Sequence, residues 1–339
     1  MHAPLPRRRT PELDRIDAER FRQEVLPAAR PVVLRGLAAA WPAVQAGLRS
    51  PEALADHIRS FDRGAAVRFI EGDPAIEGRF FYNDDLSGVN FRHREGPLGA
   101  LLDRLLDLRE ETDPPSIALQ SAPEPQVLPG FSRANPMPLL GGAVFPRLWI
   151  GNAATVHTHH DMSDNIACAV AGRRRVILFP PDQTANLYVG PFERTPAGPP
   201  VSMVSLAAPD LDRFPNFPKA WAEAEFAELA PGDALFIPYM WWHHVQSLDR
   251  FSVLANYWWN EAERPVAPMG ALIHAMLGVR DLPPPQREAW RAMFDAFVFE
   301  GGDDPGAHLP PERRGVQGPL SPAAAEQMRG ILARTLSQR

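Results

Sequence analysis

A chain of 339 residues, 45% hydrophobic and 22% charged, can bury a substantial core as one large domain or two modest ones. Its net charge of −6 argues against a nucleic-acid binder, and its single cysteine, Cys168, excludes an intramolecular disulfide and a cysteine-based zinc site. No run approaches the ~20 apolar residues of a membrane-spanning helix. Arg7, Arg8 and Arg9 lead into Thr10-Pro11-Glu12 rather than the apolar core of an export signal, so no membrane association and a cytoplasmic location are expected.

Residues 1 to about 12 read as a flexible tail. Asp17 to Leu26 predicts a short helix, and Pro31-Val32-Val33-Leu34-Arg35-Gly36 a buried strand ended by glycine. Ser50 is placed to cap a helix that starts at Pro51. Ala66 to Ile70 and Arg79 to Tyr82 are strand-like, whereas Leu101, Leu102, Leu105, Leu106 and Leu108 recur at helical spacing. From about residue 115 the texture changes to short strand segments broken by Pro and Gly, at 117–120, 147–150, 166–170, 175–179, 234–237 and 251–259. That pattern means a sandwich, a barrel or a jelly roll. After Glu261 the spacing is helical again, through Met269, Leu272, Ile273, Met276 and Leu277, then Trp290, Met293, Phe294, Phe297 and Val298. Ser321-Pro322 opens a third helix carrying Met328, Ile331 and Leu332. The expected division is a domain over 13–262, with its core at about 115–262, followed by helices over 263–339 whose large apolar residues suit a homodimer contact.

Five of the ten histidines lie in two short windows: His157, His159 and His160 run into Asp161, and His243 and His244 follow the strand-like Ala234–Ile237. Strand alternation puts His159 and Asp161 on one face, with Asn165 in the same parity. Two imidazoles and one carboxylate are the ligand set of the facial triad, which holds non-haem Fe(II) and leaves coordination positions open for chemistry. A rival set stays open. Gly151, His157 and His159 resemble the start of the generic cupin motif, with Asp164 where glutamate is expected, so His157 competes with Asp161 as a ligand.

Longer stretches carry a more specific likeness. The run from Gly172 to Gln183, Leu187-Tyr188, Arg213-Phe214-Pro215-Asn216-Phe217, Pro231-Gly232-Asp233, Trp241-Trp242-His243-His244 and Asn256-Tyr257-Trp258 follow one another in order. This series resembles the JmjC/cupin-8 family of Fe(II)- and 2-oxoglutarate-dependent oxygenases, most of all its branch of factor-inhibiting-HIF asparaginyl hydroxylases. The resemblance is dense from about 147 to 260 and thinner upstream, at Arg30–Leu34 and Trp41-Pro42. It implies a mainly β fold, a double-stranded β-helix (jelly roll) with N-terminal α/β elements and a C-terminal helical segment.

It also implies an oxygenase that consumes 2-oxoglutarate and O2 at iron held by His159, Asp161 and His243. His160 and His244 then become neighbours of ligands and His157 a pocket residue. Arg174 stands where the family often has a lysine for the distal carboxylate of 2-oxoglutarate, and a guanidinium can take that role. Asn165, Asn256 and Trp258 match residues lining the co-substrate pocket, and Thr155 and Thr158 are candidates for a threonine that helps bind it. A family tyrosine falls on Ala118, and Tyr82 is the candidate to supply a hydroxyl nearby. The implied substrate is a protein or peptide side chain or a small molecule. Other readings of the same fold are a zinc or manganese cupin acting as isomerase or hydrolase, and a non-enzymatic ligand-binding sensor. A histone-type demethylase is disfavoured, because the chain shows no reader module and no basic surface run.

Overall fold

The computed structural model describes residues 5–196, 198–260, 267–300 and 304–337. The chain divides into two compact units, residues 1–260 and 261–339. In the first unit the strands in chain order are β1 (Arg8–Arg9), β2 (Glu12–Asp14), β3 (Val32–Arg35), β4 (Ala66–Gly72), β5 (Arg79–Phe80), β6 (Phe91–Pro97) and β7 (Ser116–Pro123). There follow β8 (Pro146–Gly151), β9 (Thr155–His160), β10 (Asp164–Ala171), β11 (Arg174–Phe179), β12 (Glu225–Leu229), β13 (Ala234–Ile237), β14 (Trp242–Ser247) and β15 (Ser252–Trp259).

Two sheets result, one with the order β1-β12-β11-β14-β9-β5 and one with β2-β3-β13-β10-β15-β8-β7-β4-β6. From β8 onward the chain passes back and forth between them. β8, β10, β13 and β15 fall in the larger sheet, and β9, β11, β12 and β14 in the smaller. This is the double-stranded β-helix expected from the sequence, mainly β with flanking helices. Its sheets stay open at their edges rather than closing into a barrel. N-terminal elements extend the larger sheet on both sides, with β3 added beside β13 and β7, β4 and β6 beside β8.

Alternation explains how two cores form around one sheet. In β10, Ile166, Cys168 and Val170 pack with the N-terminal helices, while Ala167 and Ala169 join Val33, Leu235, Ile237 and Leu254 between the sheets. Such a strand is buried on both faces, so it reads as a continuous apolar run. Cys168 is fully covered, and burial pushes its thiol up, away from reactivity. The outer layer on the larger sheet includes the helix Leu98–Asp107, which buries Leu98, Leu101, Leu102 and Leu105 at helical spacing. The helix Pro51–Arg59 also lies there, and Ser50 Oγ accepts the Ala53 N–H at 3.1 Å to cap it. The smaller sheet is covered by the segment between β11 and β12, where Phe214, Phe217 and Leu206 pack on Ile177, Phe179 and Trp242.

The flexible tail expected at the N-terminus is a different object over the described residues. Arg8–Arg9 pairs in parallel with β12, and Glu12–Asp14 pairs with β3. Arg35 fastens this edge, donating to Glu12 Oε1 at 2.6 Å and to Asp233 Oδ2 at 2.5 Å. Residues 1–4 of that tail lie outside the described residues. In the second unit the helices are Pro268–Val279, Pro284–Phe294 and Pro322–Ser337. Its apolar side chains are largely open to solvent, Leu277 at 76% and Phe299 at 74% exposure. Among the described residues no helix is long and apolar enough to cross a membrane.

Candidate metal centre

β9 and β14 are neighbours in the smaller sheet, and their register sets the site. His243 stands opposite His159 and Trp242 opposite His160, but Val245 stands opposite Val156, so β9 carries an extra residue. That bulge resets the alternation. Val156 and His159 both face the space between the sheets, joined there by Asp161 just past the strand end. Strict alternation would have put His157 on the same face. The bulge turns it to the outer side, where its ring stacks on Phe81 with centroids 4.0 Å apart. There His157 lines a separate cavity of about 190 Å³ with His244, Gln246 and Arg79. The structure therefore brings His159, Asp161 and His243 together, with their ligand atoms all within 4.8 Å of one another, and leaves His157 out. His160 faces outward with its ring edge-on to Trp242, at a centroid distance of 4.5 Å.

The hydrogen bonds of the two imidazoles decide what this cluster can hold. His159 Nδ1 lies 2.7 Å from the His157 carbonyl oxygen, and His243 Nδ1 lies 2.9 Å from that of Trp241. A carbonyl only accepts, so both protons sit on Nδ1 and both Nε2 atoms present lone pairs. Asp161 Oδ2 is buried with no hydrogen-bond partner, and His243 Nε2 stands 3.5 Å from it without the alignment of a hydrogen bond. Three acceptors thus converge with no donor among them. Burial, followed by the neighbouring His243, pushes His159 down to about 4, so the His159 ring is neutral near neutrality. A divalent cation satisfies all three groups, and the carbonyl-bound Nδ1 atoms are the outer support that metal-ligating histidines use. The donor set of two nitrogens and one oxygen fits iron well.

A cavity runs from this cluster between the sheets, lined by Asn165, Arg174, Asn256, Trp149 and Trp258 and by the apolar Val176, Leu229, Val245 and Leu254. Arg174 is only 6% exposed, and its partners are neutral: Ser247 Oγ at 3.0 Å and Ser252 Oγ at 3.2 Å. Its Nε has no partner. The flanking arginines behave differently, Arg173 pairing with Asp249 and Arg175 with Glu228, each at 2.7 Å. Burial without a counter-charge pulls the Arg174 guanidinium down to about 10. Asn256 Nδ2 donates to Asn165 Oδ1 at 3.1 Å, and its own Oδ1 is unsatisfied. Trp258 stands edge-on to Trp149 at 6.2 Å and carries the Arg147 guanidinium over its ring at 5.7 Å.

Three hydroxyls expected at this cavity are elsewhere. Thr155, turned outward by the bulge, lines the outer cavity, and Thr158 has its Oγ1 3.5 Å from His244 Nδ1. Tyr82 donates its hydroxyl to the Arg194 carbonyl at 2.6 Å. Ala118 packs with Ile70, Phe80 and Phe91, away from the metal cluster. Sequence reasoning missed Trp149, Ser247 and Ser252. A signal for two of them was present: Ser252 shares strand parity with Asn256 and Trp258, and Ser247 shares it with His243.

Comparison with known proteins agrees with this arrangement. Residues 18–264 match the cupin-like domain family, and the chain belongs to it. It is 26% identical over 272 residues to lysine-specific demethylase 8 of Danio rerio, covering 75% of this chain and 59% of that protein. It is likewise 26% identical over 267 residues to tRNA wybutosine-synthesizing protein 5 of Mus musculus, covering 74% of this chain and 77% of the relative. A shorter likeness, 39% identity over 135 residues, links it to HSPB1-associated protein 1 of Homo sapiens. That match covers 38% of this chain and 26% of the human protein, so the chain spans about a quarter of that relative's length.

Proposed function

We propose that this chain is an Fe(II)- and 2-oxoglutarate-dependent oxygenase that hydroxylates a side chain of a protein or peptide, with a small molecule as the narrower variant. One observation carries the reading: a cluster of three acceptors that needs a cation and a buried guanidinium that needs an anion share one cavity. A metal and a dicarboxylate co-substrate answer both needs together. When bound, the iron supplies the oxidative chemistry, coupling O2 and decarboxylation of 2-oxoglutarate to attack on a C–H bond.

The chain's own residues account for the rest. His159, Asp161 and His243 hold the metal on one side, with the two imidazoles fixed by their carbonyl partners. Arg174 takes the distal carboxylate of 2-oxoglutarate, and Val176, Leu229 and Leu254 exclude water along its length. Asn165 and Asn256 offer amides, and the unsatisfied Asn256 Oδ1 is free to accept from a bound water. Trp258 forms a wall of the same cavity. Thr155, Thr158 and Tyr82 drop out of the co-substrate set. The ordered likeness over 147–260 supports the asparaginyl-hydroxylase branch, and the relatives' names, a lysine-specific demethylase among them, support a macromolecular substrate. The exposed apolar helices of the second unit support a homodimer, and composition supports a cytoplasmic setting.

The test is turnover with metal analysis. Protein loaded with Fe(II) should convert 2-oxoglutarate to succinate, Asp161→Ala should lower this by at least about a hundredfold, and His157→Ala should leave iron binding intact. Bound zinc or manganese with no succinate across peptide and metabolite panels would sink the proposal in favour of an isomerase or hydrolase.

A further inference from the structure

Arg174 has five N–H donors set along two usable edges, one formed by the two Nη atoms and one that includes Nε. Ser247 Oγ meets Nη1 and Ser252 Oγ meets Nη2, and the two hydroxyl oxygens stand 3.2 Å apart. Together they imitate the two oxygens of a carboxylate on the Nη1–Nη2 edge, but they carry no charge. The Ser252 hydroxyl is itself held within 3.4 Å of the Gly151 carbonyl, and Ser252 is only 1% exposed. The pair is therefore a fixed support. What it leaves over is the Nε–H, buried and without an acceptor.

We propose that Ser247 and Ser252 are positioning residues that occupy one edge of the Arg174 guanidinium and present its Nε-bearing edge to the distal carboxylate of the co-substrate. This rests on the oxygenase reading above. The choice of hydroxyls over acids follows from charge. An aspartate at either position would form an internal ion pair with Arg174 and compete with the ligand. A hydroxyl orients the guanidinium while leaving its charge available. Aliphatic side chains at both positions would leave two more buried donors unpaired and would let the fork swing between rotamers.

The experiment uses protein loaded with redox-inert Mn(II), titrated with 2-oxoglutarate and separately with 2-oxobutyrate, which lacks the distal carboxylate. Fluorescence of Trp149 and Trp258, both in the cavity wall, follows binding, and thermal melting checks folding. Replacing both serines by alanine should weaken 2-oxoglutarate binding about ten- to a hundredfold, the range for hydrogen bonds to a charged group. Binding of 2-oxobutyrate and of Mn(II) should be unchanged. Threonine at both positions should restore 2-oxoglutarate affinity, and Ser247→Asp should weaken it further than alanine does. If the double alanine variant folds poorly, the single variants carry the same comparison. A folded variant that melts lower but binds 2-oxoglutarate as the wild type does makes the serines merely structural and overturns this proposal alone. Wild-type protein that binds Mn(II) and no 2-oxoglutarate overturns the oxygenase reading itself.

Discussion

Asp161 and Arg174 are two buried charges that the protein does not neutralise, and this sets how their variants should behave. Breaking a buried pair is costly, whereas removing a lone buried charge relieves the protein. Asp161→Asn places an amide donor where a cation is needed, within reach of the lone pairs on His159 and His243. Metal-free Asp161→Asn should therefore melt at or above the wild-type temperature while losing the stabilisation by added Mn(II), as scanning calorimetry with and without chelator would read. Arg174→Met should likewise hold or raise stability without ligand and abolish the stabilisation by 2-oxoglutarate. A drop of several degrees in either ligand-free variant would mean that the charge is satisfied within the fold. At this scale the sequence made the three acceptors legible through the His-x-Asp spacing and the distant His243. Spacing alone did not show that His157 leaves the set, which only the family resemblance implied. That depends on one extra residue in β9 relative to β14, a property of two strands read together. The same bulge removed Thr155 from the cavity.

The turn between β10 and β11 shows how an element holds the site. Gly172 has φ of +73°, and a Cβ there would stand 2.8 Å from the Phe251 carbonyl oxygen. Both the left-handed backbone and the close approach demand glycine. Gly172→Ala should cost more than about 1 kcal/mol by urea denaturation and, because Arg174 lies two residues on, weaken 2-oxoglutarate binding as well. Retained stability would show that the turn can shift freely. Most strands of the double-stranded β-helix were visible as apolar segments between glycines and prolines, since burial and local pattern coincide in β8, β10, β11 and β15. β6, reading FRHREGP and mostly exposed, was not, because edge pairing with β4 rather than composition makes it a strand. The cover over the smaller sheet was also invisible as a unit. Phe214 and Phe217 find Phe179 and Trp242 only through contacts distant in sequence.

For the whole molecule, the division at residue 260 separates a unit with dense cores from one whose helices expose Leu272, Ile273, Trp290 and Met293. Exposed apolar side chains of this kind suit an interaction surface. The proposed homodimer predicts a dimer mass by size-exclusion chromatography with light scattering at micromolar concentration, converted to monomer by Leu277→Glu combined with Trp290→Glu. A wild-type monomer would reject it. The central claim is that one cavity takes a cation at its His-His-Asp end and a dicarboxylate at Arg174. Anaerobic titration of the purified chain with Fe(II) and then 2-oxoglutarate tests that claim most directly. The account predicts a weak visible absorption band that saturates at one equivalent of each and is lost in Asp161→Ala and in Arg174→Met. No band in wild-type protein that has bound its iron would contradict it.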